Sequence, residues 1–138
     1  MKHKLLIIED NLDLLQMVSL RAKYRGFKCI KDSTGAHCLS KVERWRPDLI
    51  LMDLDLPKIN GIELILQLKN RADWSRIPII VFSSFSENEL VNEVIKLGAN
   101  TYFVKNGSID DLLDIIESYV CSNEPQDYSA EFLTEAII

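Results

Sequence analysis

Three carboxylates in this chain stand where packing alone does not account for them. Asp53 ends the apolar run Leu49-Ile50-Leu51-Met52, and Leu54-Asp55-Leu56-Pro57 then breaks the pattern. Glu9 and Asp10 end an equivalent run, Leu5 to Ile8. A buried strand that delivers acids to its carboxyl end builds a site rather than a core. Clustered like charges are unfavourable without a cation, and Mg²⁺ prefers oxygen donors, keeping waters and one or two carboxylates. Glu9, Asp10 and Asp53 therefore suggest a divalent-metal pocket with one carboxylate left over for chemistry. Lys105 closes the apolar run Tyr102-Phe103-Val104 and offers a second cation, and Ser83, after Ile79 to Phe82, offers a hydroxyl to an anion. Each has a plainer reading when taken alone. Glu9-Asp10 suits a solvated acidic turn that favours the following helix dipole, Lys105 a surface lysine and Ser83 a turn residue.

The elements that must position these groups follow from periodicity. Strands are predicted at 4–8, 27–31, 49–52, 79–82 and 102–104, and helices near 12–25, 36–45, 61–70, 87–97 and 109–120. Asn11 suits the N-cap of the first helix and Gly26 its stop; Gly98 ends the fourth helix and Ser108 caps the fifth. Strict alternation of strand and helix predicts a parallel sheet with helices on both faces. The runs 49–52 and 79–82 are continuously apolar, as strands buried on both sides are. All strand carboxyl ends then point one way, and open sheets of this kind bind ligands beyond those ends, where the strand order reverses. Residues far apart in sequence thereby converge.

Bulk composition narrows the classes. The 138 residues suit one domain, read as 1–122, followed by an acidic tail, 123–138. No apolar run is long enough to span a bilayer. The amino terminus reads as lacking a signal peptide, and three cysteines, Cys29, Cys38 and Cys121, match no metal spacing; both favour a cytoplasmic protein with reduced thiols. The net charge of −5 hides an asymmetry: residues 107–138 hold eight acids and no base. A carboxyl-terminal nucleic-acid module would need a basic face, so none is expected, and an acidic amphipathic segment is a poor membrane anchor. In the tail, Tyr128, Phe132, Leu133 and Ile137 follow helical spacing, which suits either a strap on its own domain or a dimer contact.

This ordered set resembles the receiver domain of two-component response regulators over about residues 4–121. The most specific element is Asp53-Leu54-Asp55-Leu56-Pro57-Lys58-Ile59-Asn60-Gly61, preceded by Glu9-Asp10 and followed by Ser83-Ser84 and the run Gly98 to Lys105. The resemblance implies a flavodoxin-like (βα)5 fold, a doubly wound parallel sheet of order 2-1-3-4-5. It implies Asp53 as phospho-acceptor, with Mg²⁺ held by Glu9, Asp10, Asp53 and the backbone carbonyl of Asp55. Lys105 would bind a phosphoryl oxygen and Ser83 another, with Tyr102 swinging inward behind the moving Ser83. The switched surface would be helix 4, strand 5 and helix 5. The phosphoryl donor would be a sensor histidine kinase or phosphotransfer protein, the output an unidentified downstream protein, and the same surface with the tail a homodimer contact. On this reading the chain is a stand-alone signalling module rather than an enzyme.

Three positions depart from the family pattern. Asn106 stands where a proline usually follows the lysine, and a cis bond there would cost roughly 2.5–4 kcal/mol. Asp55 and Phe85 occupy positions that tune the lifetime of the phosphorylated state. Two other readings compete. Asp53-Leu54-Asp55 resembles the nucleophile motif of haloacid-dehalogenase-type phosphatases, whose second aspartate turns over a covalent phosphoaspartate; here, however, the acid pair lies upstream. A degenerate receiver serving only as a docking or dimerisation scaffold is the third.

Overall fold

The computed structural model describes residues 2–121. The tail, and the helix and dimer contact expected of it, lie outside the described residues. Five strands alternate with five helices: β1 (Lys4–Ile8), α1 (Leu12–Tyr24), β2 (Lys28–Asp32), α2 (Cys38–Trp45), β3 (Leu49–Met52), α3 (Gly61–Lys69), β4 (Ile79–Ser83), α4 (Asn88–Leu97), β5 (Thr101–Val104) and α5 (Ile109–Cys121). All pairings are parallel, in the order β2-β1-β3-β4-β5. The expected flavodoxin-like topology is the one found.

Strand alternation divides the core in two. Leu5 and Ile7 of β1, Leu49 and Leu51 of β3, and Ile80 and Phe82 of β4 face the layer that α1 and α5 cover. Leu6, Ile8, Ile50, Met52, Ile79 and Val81 face the other, with Val42 of α2, Leu64 of α3 and Val91 of α4. Every residue of β3, β4 and β5 is buried, so no strand face in the middle of the sheet is free for solvent. The strand order reverses about β1 and β3, and that is where the acids emerge.

The element ends show why some predicted boundaries moved. Asn11 caps α1 by accepting a hydrogen bond from Leu14 N at 3.1 Å. At its other end Gly26, at φ 96°, reverses the chain, and Phe27 N donates back to Ala22 O at 3.1 Å. That bond commits Phe27 to the helix end, so β2 starts and stops one residue later than expected. Glu87 is extended and caps α4 rather than opening it. The start of α2 slips to Cys38 because the Asp32 carboxylate gathers the preceding turn. Its oxygens accept from Thr34 N, Gly35 N and His37 N at 3.1, 3.1 and 3.2 Å.

Candidate functional site

The sheet register builds the site. Ile8 lies opposite Met52, the last pair of the β1–β3 ladder, so Glu9 and Asp53 leave neighbouring strands together. Asp53 N donates to Ile8 O at 2.9 Å, and Glu9 N to Asp32 O at 3.1 Å. The backbone between the strand ends is thus pinned before any side chain is considered. Carboxylate oxygens of Glu9, Asp10 and Asp53 fall within 4.8 Å of one another. Glu9 and Asp53 are buried, at 1% and 4% exposure, while Asp10 is exposed.

From the far side of the sheet, β5 brings Lys105. Its Nζ lies 2.7 Å from Glu9 Oε1 and 3.1 Å from Asp53 Oδ2. Burial pulls its ammonium down, but bonds to Glu9 and Asp53 outweigh that, leaving its pKa above that of an ordinary lysine. Burial pushes the Glu9 carboxyl up to about 7, against the opposing pull of Lys105 and Asn11 N and with the charge of Asp53 adding to the rise. Asn11 N donates to Glu9 Oε2 at 3.1 Å. Oε1, buried, has the ammonium beside it but no well-directed hydrogen bond. A buried oxygen left in this way, next to two more carboxylates, fits the all-oxygen donor set that Mg²⁺ requires.

The segment after Asp53 wraps it. Asp55 N donates to Asp53 Oδ1 at 3.1 Å, while the Asp55 side chain faces solvent outside the trio. Asp55 pairs with Asn60 in an isolated antiparallel bridge, and Asn60 caps α3 by accepting from Ile62 N at 2.9 Å. Gly61 is needed there because a Cβ would sit 2.8 Å from Leu54 Cα and 2.9 Å from Leu54 O. An open groove of about 500 Å³ runs beside the loop, with Pro57, Ile59 and Ile62 on one side and Phe85 and Leu90 on the other.

Ser83 and Tyr102 meet through Phe85. Ser83 Oγ accepts from Phe85 N at 3.2 Å, and Tyr102 Oη donates to Phe85 O at 2.6 Å. Tyr102 is completely buried; burial raises its pKa, which a hydrogen bond to Ser83 opposes. The ring lies inside, held by the β4–α4 backbone. Lys105 N donates to Ser83 O at 2.8 Å, which ties the ends of β4 and β5 together. Every peptide bond among the described residues is trans, the Lys105–Asn106 bond included.

Sequence reasoning passed over Asp32. It is buried, and the backbone it organises carries the carbonyl that receives Glu9 N. The signal is Asp32-Ser33-Thr34-Gly35, an acid followed by turn residues whose N–H groups it can bond.

The residues match a response regulator receiver domain model over positions 5–117. The chain belongs to the response regulator receiver family. This receiver is 28% identical to sporulation initiation phosphotransferase F of Bacillus subtilis over 120 residues, 87% of this chain and 95% of that protein. It is 35% identical to the transcriptional regulatory protein KdpE of Staphylococcus aureus over 114 residues, 81% of this chain but 47% of that longer protein. Its fold is similar to the receiver domain of the Francisella response regulator 1452, with a TM-score of 0.82 at 23% identity, covering 89% of this chain and all of that one. It is also similar to the chemotaxis response regulator CheY4 of Vibrio cholerae, with a TM-score of 0.80 at 24% identity, covering 86% and 99%. Receiver domains are signalling phosphoacceptors of two-component systems rather than enzymes with turnover, and they typically bind Mg²⁺ at an acidic pocket. The phosphatase reading falls with this assignment. No described helix is long and apolar enough to cross a membrane.

Proposed function

We propose that this receiver accepts a phosphoryl group on Asp53 from a sensor histidine kinase or phosphotransfer protein and passes the signal on through its α4–β5–α5 surface. The observation that carries this reading is the position of Lys105, whose ammonium contacts the buried Asp53 and Glu9 at once. An Asp53 oxygen attacks phosphorus; the bond from phosphorus to the donor's imidazole nitrogen breaks, and its electron pair leaves with that nitrogen, which is then protonated. Such transfers need little covalent help and depend on positioning and charge. Asp53 is positioned by Asp55 N on one oxygen and Lys105 on the other. Glu9, Asp10, Asp53 and the Asp55 carbonyl are the ligands we assign to Mg²⁺, which when bound neutralises charge on the phosphoryl oxygens. Lys105 adds a second positive charge from the β5 side.

The switch is a competition for Ser83. Its oxygen now accepts the Phe85 N–H, and a phosphoryl group on Asp53 offers a charged acceptor for the hydroxyl proton, which draws the side chain away from Phe85 toward Asp53. Movement of Ser83 frees Phe85 N while Tyr102 still holds Phe85 O, so the β4–α4 segment rearranges about the tyrosine. A local charge change is thereby read by a packing element. The exposed side chains of α4, Asn88, Glu89, Asn92, Glu93 and Lys96, are all polar, which suits a polar partner better than an apolar homodimer seam through this helix. Asp55 and Phe85 flank the site and are the side chains we assign to setting the lifetime of the phosphorylated state. A cytoplasmic location fits a kinase-fed module.

Incubation with Mg²⁺ and acetyl phosphate, followed by intact-mass measurement, tests the proposal. One added phosphoryl group that disappears in Asp53→Asn is the expected result. Labelling that persists in Asp53→Asn removes the assignment, and no labelling of the parent chain leaves the scaffold reading in its place.

A further inference from the structure

The edge of the sheet opposite the carboxylate trio is basic. The five strands begin there, and α2 and α3 end there. Lys28, Arg44, Arg46, Arg71 and Arg76 are all exposed at that edge, and contacts join them into one patch. Lys28 Nζ lies 4.7 Å and Arg44 Cζ 5.0 Å from the centroid of the Trp45 ring. Glu43 lies between Arg46, at 3.7 Å, and Arg71, at 4.0 Å, and Arg71 in turn covers the Trp74 ring at 3.8 Å. Glu43, Asp48 and Asp73 offset only part of this charge. Arg46 closes α2 in the left-handed region, at φ 47°. An arginine thus stands where glycine or asparagine would sit more easily, which sets another charge on the patch.

The same chain carries a segment of the opposite sign. Residues 122–138 hold four acids, Glu124, Asp127, Glu131 and Glu135, and no base. The acids recur every three or four positions, the spacing that lines one side of a helix. Tyr128 and Phe132 each follow an acid directly and offer rings on which guanidinium groups stack. The segment continues from α5, whose end lies at the basic edge. Tyr119 Oη donates to Asn100 O at 3.3 Å, and Asn100 Oδ1 accepts from Ile79 N at 3.0 Å, just past the turn that carries Arg71, Trp74 and Arg76. From β5 across the sheet to β2 is four strand spacings, about 19 Å. Residues 122–138, extended, span up to about 56 Å, so the whole patch is within reach. Other surfaces would repel the segment: the site edge carries Glu9, Asp10 and Asp55, and α5 carries Asp110, Asp114 and Glu117.

We infer that residues 122–138 lie back within their own chain on the arginine–tryptophan patch formed by the end of α2 and the α3–β4 turn. Exposed ion pairs are individually weak, but a tethered segment is present at an effective concentration of about millimolar, so weak pairs suffice. While seated, the segment withholds this basic surface from other anionic partners.

Trp45 and Trp74 are the chain's two tryptophans, and both lie in the patch, so the emission of the full chain follows the contact. Raising salt from about 10 mM to about 1 M shortens the screening length from about 30 to about 3 Å, so emission should move to longer wavelength and acrylamide should quench it roughly twice as strongly. With Glu124, Asp127, Glu131 and Glu135 replaced by glutamine or asparagine, emission should start at the salt-released value and move no further, which separates the strap from any effect of salt on the Trp45 stacks. A zero-length carbodiimide should join Glu131 or Glu135 to Lys28 within one chain, in a yield independent of protein concentration. Arg46→Glu with Arg76→Glu should lower that yield several-fold. Labelling of Asp53 by acetyl phosphate should stay parental in every variant, because the patch lies at the other edge of the sheet; the result therefore stands apart from the proposed phosphorylation. A neutral-tail variant with the parent's low-salt emission overturns the inference. So do cross-links whose yield climbs with concentration, which would seat the segment on a second copy, or cross-links that bypass Lys28 for Lys58 at the phosphorylation edge.

Discussion

The hydroxyl of Tyr102 donates a 2.6 Å hydrogen bond to the backbone carbonyl of Phe85. The bond joins the buried strand β5 to the segment that leads into α4, and Phe85 N is held in turn by Ser83 Oγ. One residue thus reports to both side chains that the proposed switch uses.

Tyr102→Phe keeps the buried ring and removes only this bond. Phe85 is partly exposed, so its carbonyl can take water instead, and the loss is that of an ordinary hydrogen bond, about 1 kcal/mol. Urea unfolding should show it, and hydrogen exchange should accelerate at residues 84–88 while β1 and β3 stay protected. Uniformly faster exchange, or none, would count against a local role for the tyrosine.

How this site could be foreseen is clear from particular residues. The acids Glu9, Asp10 and Asp53 were legible because apolar runs ending in carboxylates imply strands delivering charge to one edge, and the parallel register then does the rest. Lys105 was legible for the same reason from β5. Asp32 was not, since its partners are backbone N–H groups of a turn that has no apolar period. The partner of the Tyr102 hydroxyl was also hidden, since it is a backbone carbonyl seventeen residues away.

Gly61→Ala probes the segment that follows Asp53. The added methyl would stand 2.8 Å from Leu54 Cα and 3.1 Å from Asp53 O. These are backbone atoms, so the loop itself must shift, and overpacking of this kind costs about 1–3 kcal/mol. Because Asp55 N holds Asp53 Oδ1 from the same loop, phosphorylation by acetyl phosphate should slow several-fold as well. Full stability with a parental labelling rate would show that the loop tolerates the displacement.

The Glu9 carboxyl, pushed up to about 7 from 4.5 by burial, gives a pH dependence of definite sign. Between those values the folded chain keeps a proton that the unfolded chain has released, so this group removes stability as pH rises. A rise of this size corresponds to up to about 3 kcal/mol once pH passes 8. In chelator, Glu9→Gln should match the parent near pH 5 and exceed its stability by about 1–3 kcal/mol at pH 8. Denaturant midpoints measured at each pH check this; parallel curves would mean that Glu9 is charged in the fold throughout.

Lys105→Met separates the role of the ammonium as structural counter-ion from its role toward a phosphoryl group. The substitution keeps the aliphatic stem but leaves Glu9 Oε1 and Asp53 Oδ2 without their 2.7 and 3.1 Å contacts. Removing one partner of a buried pair costs about 3 kcal/mol where no solvent relieves it. Lys105 keeps a fifth of its side-chain surface exposed, so the lower end, about 2 kcal/mol, is expected at pH 8 in chelator. A divalent cation that binds only the folded chain stabilises it in proportion to the logarithm of its concentration over Kd. With the competing ammonium gone, millimolar Mg²⁺ should therefore raise the melting temperature of Lys105→Met more than that of the parent. Phosphorylation should nonetheless stay slow in the variant, because charge at the trio has been replaced but the contact from β5 has not. Recovery of both stability and labelling rate with Mg²⁺ would reduce Lys105 to a counter-ion.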